Sequence, residues 1–393
     1  MKTKKILSGN EAIAEAVRQV DPDVMAAYPI TPSTKIVETI AQFVADGILS
    51  GEFVCPESEH SAMSVCIGAA AAGGRVMTAT ASQGLALMWE MLYIAAALRL
   101  PIVAAIANRA LSAPINIHGD HSDMMGARDS GWIQIYSENC QEAYDNFIQA
   151  FRIAEHPEVA TPVMVGLDGF IISHSMEPVL VEDDEAVKEF LGEYQPHYSL
   201  LDINHQITIG SLDFTDYYFE HKRSQLEGLE KAPRVILEVG QEFGQKFGRS
   251  YGFFEEYRLG DAEVAIVVLS SAAGTGKEAV DLLRDEGIPI GLLKLRIFRP
   301  FPFREIAEVL KDKKAVAVLD RCVSPGAEGP PVGTEIRAAL FDYEQRPRVV
   351  NYVYGLGGRD IKVEHFQEVG RKLVRIAETN QVDEPYGYLN LRE

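Results

Sequence analysis

The sequence predicts an α/β protein in which parallel sheets are covered by helices on both faces, arranged as two successive units. Three observations carry that prediction. Strand-like runs alternate with helix-like segments along most of the chain. The strand-like runs are apolar throughout rather than at every second residue, as strands covered on both faces are. The pattern lapses after about residue 177 and restarts near 261.

In chain order, "DVMAAYPI" (23–30) reads as a short buried strand running into Pro29 and Pro32. "RVMTATAS" (75–82) is the next, followed by a helix through "LALMWEMLYIAAALR". "PIVAAIANR" (101–109) and "PVMVGLDG" (162–169) are the third and fourth. Residues 177–255 are acidic, aromatic and irregular until "YYFEHKRSQLEGLEKAPRVILEVGQEFGQKFG", a long amphipathic helix, so an excursion with a linker helix is expected there. The second unit then runs "AEVAIVVLS" strand, "GTGKEAVDLLRDEG" helix, "IGLLKLRIF" strand, "FREIAEVLKD" helix and "AVAVLDR" strand. "RVVNYVYGLGG" adds a strand and "EHFQEVGRKLVRIAET" a closing helix. The expected division is 1–255, 256–375 and a tail at 376–393.

With 393 residues and 47% apolar content, more than one core is expected and wholesale disorder is excluded. The net charge of −20 argues against a nucleic-acid binder, which needs a basic face. The four cysteines, Cys55, Cys66, Cys140 and Cys322, form no CxxC pair. Neither a zinc site nor an iron–sulfur cluster can therefore be read from them, and free thiols point to a reducing cytoplasm. "MKTKKILSGNEAIAEAV" lacks the apolar core of a signal peptide. The most apolar tract, 61–107, is broken by Gly73, Gly74, Arg75, Glu90, Arg99 and Pro101, so no membrane span is expected.

In parallel sheets, ligands bind beyond the carboxyl ends of the strands. Tyr28 to Ser33, Ser82-Gln83-Gly84, Arg109 and Asp168-Gly169 all fall there, which argues for one composite site. "SAAGTGKEA" (271–279) joins a strand to a helix but fails the P-loop pattern at Ser271 and Glu278, and reads as a tight turn. His118, Asp120, His121 and Asp123 could be metal ligands, but Gly/Asp/Asn loops form turns anyway. Arg109 is open between a surface or ion-paired arginine and a two-pronged holder of a carboxylate or phosphate.

"VCPESEHSAMSVCIGAAAAGG" (54–74) reads as a helix capped by Ser58. Glu59 could merely complement the helix dipole there. Yet residues three, four, seven and eleven further on are Ala62, Met63, Cys66 and Ala70, so its face is apolar and close-packed. A carboxyl on such a face loses water and is suited to sharing or donating a proton. Glu57, ahead of the helix, is the better candidate for a solvated acid.

These stretches together resemble the α subunit of the 2-oxoacid:ferredoxin oxidoreductases, most closely the pyruvate enzymes. The matching runs are "YPITPST" (28–34), "ESEHSA" (57–62), "TATASQGLALM" (78–88), "NRALSAPINI" (108–117), "RDSGWIQ" (128–134), "DGFIISH" (168–174), "RIFRPFP" (296–302) and "YGLGGRD" (354–360). The resemblance implies a thiamine-diphosphate-binding unit of the pyrimidine type, followed by a transketolase C-terminal-like unit. It implies that Glu59 hydrogen-bonds N1′ of the aminopyrimidine, with Tyr28, Pro29, Ser82 and Gln83 on the cofactor side. Thr31 and Arg109 match the family's substrate-binding residues, and Ile117 is implied beside the pyruvate methyl. Mg and four-iron clusters are implied in β, γ and δ subunits of a heterotetramer, because this chain has no Gly-Asp-Gly…Asn motif and no cluster-binding cysteines. The implied reaction consumes pyruvate and CoA and reduces ferredoxin. Another 2-oxoacid (branched-chain, 2-oxoglutarate or oxalate) and a non-catalytic nucleotide-binding or scaffold subunit are the competing readings.

Overall fold

Val76–Thr80, Ile102–Asn108 and Val163–Asp168 are buried at every residue, as the unalternated apolar runs require. The structure, a computed structural model, describes residues 2–392. In chain order the strands are β1 (Thr3–Ser8), β2 (Val24–Ala26), β3 (Glu52–Val54), β4 (Val76–Thr80), β5 (Ile102–Asn108), β6 (Ile133–Tyr136), β7 (Val163–Asp168) and β8 (Met176–Val181). There follow β9 (Phe254–Tyr257), β10 (Val264–Leu269), β11 (Ile290–Leu295), β12 (Ile297–Arg299), β13 (Ala315–Asp320), β14 (Arg348–Val353) and β15 (Tyr386–Tyr388).

They form a seven-stranded sheet, β12-β6-β7-β5-β4-β2-β3, a six-stranded sheet, β15-β14-β13-β10-β11-β9, and the antiparallel pair β1-β8. Both large sheets are parallel except where β12 meets β6 and β9 meets β11. Three cores result. One lies under the first sheet, where Phe147 and Phe151 meet Val235, Ile236 and Phe243 of the helix Tyr218–Phe247. Another lies on the far side of the second sheet. The middle one is continuous between the two sheets, joining Met63, Leu92 and Trp132 to Val267, Leu295 and Ile336.

Several elements differ from the sequence reading. "IGLLKLRIF" is not one strand: β11 stays in the second sheet, while β12 crosses to the edge of the first, Ile297 lying opposite Ile135. The break falls at Arg296, a buried guanidinium that donates to Asn146 Oδ1 at 2.7 Å and to the Gly252 carbonyl at 3.1 Å. The expected helix 85–99 is two helices, Ser82–Leu87 and Trp89–Ala97. The excursion is more ordered than its composition suggests. β8 pairs with β1, and the long helix buries an apolar stripe in the first core. Its longest stretch without helix or strand is 192–217. The C-terminal stretch contributes β15, paired parallel to β14. Among the described residues, no helix is long and apolar enough to cross a membrane.

Candidate active site

The order β7-β5-β4-β2 places four carboxyl ends side by side, so Asp168, Arg109, Ser82 and the 28–33 loop share one sheet edge. Asp123 ties two of these ends together. Its Oδ2 accepts the Ser82 N–H at 3.0 Å and the Arg109 N–H at 2.9 Å, and its Oδ1 accepts Asn108 Nδ2 at 2.9 Å and the Met124 N–H at 2.7 Å. Burial pushes the Asp123 carboxyl above its usual range, and these four donors oppose that shift. Ser82 is held at φ +47° at the elbow from β4 into the helix, and its hydroxyl donates to the Ala110 carbonyl at 2.7 Å. That left-handed backbone is costly for a serine and persists because its own N–H and hydroxyl are both held.

Glu59 is the first residue of the helix Glu59–Ala71, whose N-cap, Ser58, accepts the Ser61 N–H. It is 6% exposed, on a face with the buried Ala62, Met63, Cys66 and Ala70. Among the described residues its carboxyl accepts no hydrogen bond and pairs with no cation. Glu57, by contrast, is exposed and takes the Ser61 hydroxyl at 2.6 Å. Gly84 brings Glu59 next to the β4 end. A Cβ there would lie 2.7 Å from Glu59 Oε1 and 2.4 Å from Thr80 Oγ1. The Thr80 hydroxyl is itself buried without a partner. A desolvated carboxyl and a desolvated hydroxyl without protein partners are groups that a polar ligand would satisfy.

Arg109 is 7% exposed. Its Nε donates to the Asn116 carbonyl at 2.9 Å and its Nη1 to the Thr31 carbonyl at 3.0 Å. No carboxylate pairs with it among the described residues. It is therefore neither a surface nor an ion-paired arginine among the described residues, but a buried cation hydrogen-bonded to two carbonyls. Thr31, Tyr28 and Pro29 are exposed at the rim, and Ile117 is 44% exposed in the following loop. Thr31 and Arg109 are thus brought into contact, and Glu59 approaches the Ser82-Gln83-Gly84 elbow. Asp123 connects the two groups.

The residues weighed as metal ligands are spent otherwise. His121 Nε2 lies 2.7 Å from Asp168 Oδ1, Asp120 accepts the Ser122 N–H at 2.9 Å, and His118 packs on Phe170 with centroids 4.8 Å apart. Asp168 also accepts Arg321 Nη1 at 2.9 Å and the Ser271 N–H at 3.2 Å. Burial alone would raise its carboxyl, but Arg321 and His121 hold it well below the usual range. The glycine-rich run 271–279 therefore begins a helix pinned to β7 through Ser271. The acidic group close enough to chelate, among the described residues, is Glu138, Glu142 and Glu255. Lys294 Nζ sits 2.9 Å from Glu138 and 3.0 Å from Glu255, and Lys277 Nζ 3.0 Å from Glu138, so ammonium groups already supply its cations. Asp123, weighed from sequence only as a metal ligand, and Asn116 and Thr80 were not assigned to the site from sequence. The polar density of "NIHGDHSDMM" was the available signal for the first two.

Residues 15–241 match the family described as pyruvate flavodoxin/ferredoxin oxidoreductase, thiamine diphosphate-binding. The chain belongs to that family. Residues 262–366 match pyruvate:ferredoxin oxidoreductase core domain II. Among its relatives, the pyruvate synthase subunit PorA of Thermotoga maritima is 54% identical, the alignment covering 98% of both chains. The PorA subunit of Methanocaldococcus jannaschii is 50% identical over 93% of both. The ketoisovalerate oxidoreductase subunit VorA of Pyrococcus abyssi is 44% identical over 99% of this chain and 98% of that one. A 2-oxoglutarate:ferredoxin oxidoreductase from Magnetococcus marinus shares the fold at TM-score 0.74 and 21% identity, over 94% of this chain and 65% of that longer chain. A split-gene transketolase shares it at TM-score 0.54 and 14% identity, over 94% of this chain and 99% of that one. In this family's frame, the elbow at Ser82 and the helix at Glu59 belong to the thiamine diphosphate-binding portion.

Proposed function

We propose that the chain is the α subunit of a pyruvate:ferredoxin oxidoreductase, in which pyruvate, CoA and oxidised ferredoxin give acetyl-CoA, CO2 and reduced ferredoxin, reversibly. The observation that carries this reading is the buried Glu59 carboxyl, without a partner among the described residues, on a helix of small residues at the mouth of the sheet edge. Those residues fit thiamine diphosphate, which when bound supplies the carbanion chemistry of decarboxylation. Glu59 would hold the aminopyrimidine ring nitrogen, its carboxyl oxygen keeping or sharing a proton there in surroundings free of competing protein donors.

Arg109 would bind the pyruvate carboxylate, its buried charge answered by the substrate rather than by an acid of this chain. Thr31, whose main-chain carbonyl holds that guanidinium, would donate its hydroxyl to the same substrate, and Ile117 would border the methyl group. Tyr28, Pro29, Ser82 and Gln83 would shape the cofactor side. The diphosphate with its Mg, and the four-iron clusters that pass electrons to ferredoxin, are assigned to β, γ and δ partner subunits. In support, the four thiols of this chain are free, Cys66 and Cys140 on different helices and Cys55 and Cys322 in different loops.

The deciding experiment purifies the native complex and measures subunits, thiamine and pyruvate-dependent, CoA-dependent viologen reduction. Stoichiometric thiamine with pyruvate as the fastest 2-oxoacid is expected. A thiamine-free complex, or faster turnover of 2-oxoisovalerate or 2-oxoglutarate, would overturn the assignment. A narrower check uses Gly84→Ala, which places a methyl 2.7 Å from Glu59 Oε1 and must displace that carboxyl. Displacements near 1 Å cost about a hundredfold in well-aligned sites, so kcat should drop by about tenfold or more. Retained kcat in an assembled Gly84→Ala complex would show that the placement of Glu59 is not limiting.

A further inference from the structure

Arg109 is buried, yet both protein groups that orient its guanidinium are loop carbonyls, of Thr31 and Asn116. A carbonyl can aim a guanidinium only as well as its own loop is fixed. The loop after β5 is exposed at Ile115 and Ile117 on either side of Asn116. Its anchor comes from the other sheet. Asn116 Nδ2 donates to the Gly357 carbonyl at 3.1 Å, and Asn116 Oδ1 accepts the His118 N–H at 2.7 Å. The side-chain amide therefore faces a carbonyl with its nitrogen and an N–H with its oxygen, so its partners fix its orientation. One residue further along the turn, the Gly358 N–H donates to the Gly119 carbonyl at 2.8 Å. Gly357 sits at φ +60°, and a Cβ on it would lie 2.4 Å from Asn116 Nδ2. The turn that follows β14 is thus shaped to receive this one amide.

We propose that Asn116 is a positioning residue for substrate recognition: it holds the Arg109 guanidinium through its main-chain carbonyl, and is itself held by the Gly357 turn of the second sheet. This rests on Arg109 being the carboxylate holder. The second unit then has a direct part in affinity for the 2-oxoacid, because it fixes the loop that aims the arginine. The reach of the coupling is short, one hydrogen bond on each side of Asn116.

The test uses the assembled holoenzyme carrying Asn116→Ala, Gly357→Ala, Arg109→Ala, or Asn116→Ala with Arg109→Ala. Two quantities are read: KM and kcat for pyruvate, and the Kd of the unreactive carboxylate oxamate by calorimetry, which needs no turnover. Asn116→Ala should raise both KM and the oxamate Kd by about tenfold, with a much smaller fall in kcat, within the range of couplings between contacting residues. Gly357→Ala, altering the other sheet alone, should reproduce that split. In the Arg109→Ala background, adding Asn116→Ala should change KM less than twofold.

Effects of Asn116→Ala and Arg109→Ala that multiply would overturn the proposal, as would an Asn116→Ala complex with unaltered KM and Kd. A Gly357→Ala complex with unaltered KM and Kd would remove the second sheet from it. If Arg109→Ala itself leaves KM and Kd unaltered, the carboxylate reading falls and the proposal with it. If Arg109→Ala raises them and Asn116→Ala does not, the proposal alone is wrong.

Discussion

Glu59→Gln is expected to lower pyruvate-dependent viologen reduction by on the order of a hundred- to ten-thousand-fold, the span lost when a positioned proton-transfer group is removed. The same substitution should leave assembly and thermal stability unaltered. Both halves follow from one fact: the carboxyl accepts no hydrogen bond and pairs with no cation among the described residues, although it is 6% exposed. A structural glutamate would lose partners on becoming an amide, and buried partners left unpaired cost about 1–3 kcal/mol each. Among the described residues no partner exists to lose, and Gln keeps the shape. Turnover and melting temperature therefore separate the two roles that a buried glutamate can have. Unimpaired turnover would end the assignment of Glu59 as the proton-sharing group. A large drop in melting temperature would instead mark it as a packing residue whose partners lie elsewhere in the complex.

How much of this was legible in the sequence depends on the range of each interaction. The buried strands and the apolar face beneath Glu59 were legible, because periodicity and helical spacing are local properties. The crossing of β12 to the first sheet was not. "IGLLKLRIF" reads as one strand by itself, and what divides it is Arg296, whose carbonyl acceptors on Asn146 and Gly252 are far away in sequence. The β1-β8 pair was hidden for a similar reason, since "EPVLV" sits in an acidic stretch and reads as a strand only once β1 lies beside it. In the site, Glu59 and Arg109 stood out because they interrupt apolar patterns. Asp123 and Asn116 did not, because Asp and Asn in a glycine-containing loop are the residues that turns use anyway. Their roles come from contacts with Ser82 and Gly357, which no local pattern encodes.

The Arg109→Ala complex should show KM for pyruvate raised by about a hundredfold, the worth of a charge-assisted hydrogen bond of about 3 kcal/mol in a desolvated setting. Its effect on stability should be small, and that second expectation separates a binding arginine from a structural one. Truncating one partner of a buried ion pair typically costs about 3–5 kcal/mol, because the abandoned charge stays buried. Arg109 abandons no charge when removed: its side-chain partners are the carbonyls of Asn116 and Thr31, which line a loop with exposed neighbours and can turn to water. Arg109 remains a buried cation with no counter-charge among the described residues, which suits it to an anionic ligand. Arg109→Lys refines the point. It restores the charge but not the planar fork, so it should recover part of the lost affinity while leaving KM above that of the parent. Recovery to the parental KM would mean that only the charge matters, and that the aim given by the two carbonyls contributes nothing to recognition.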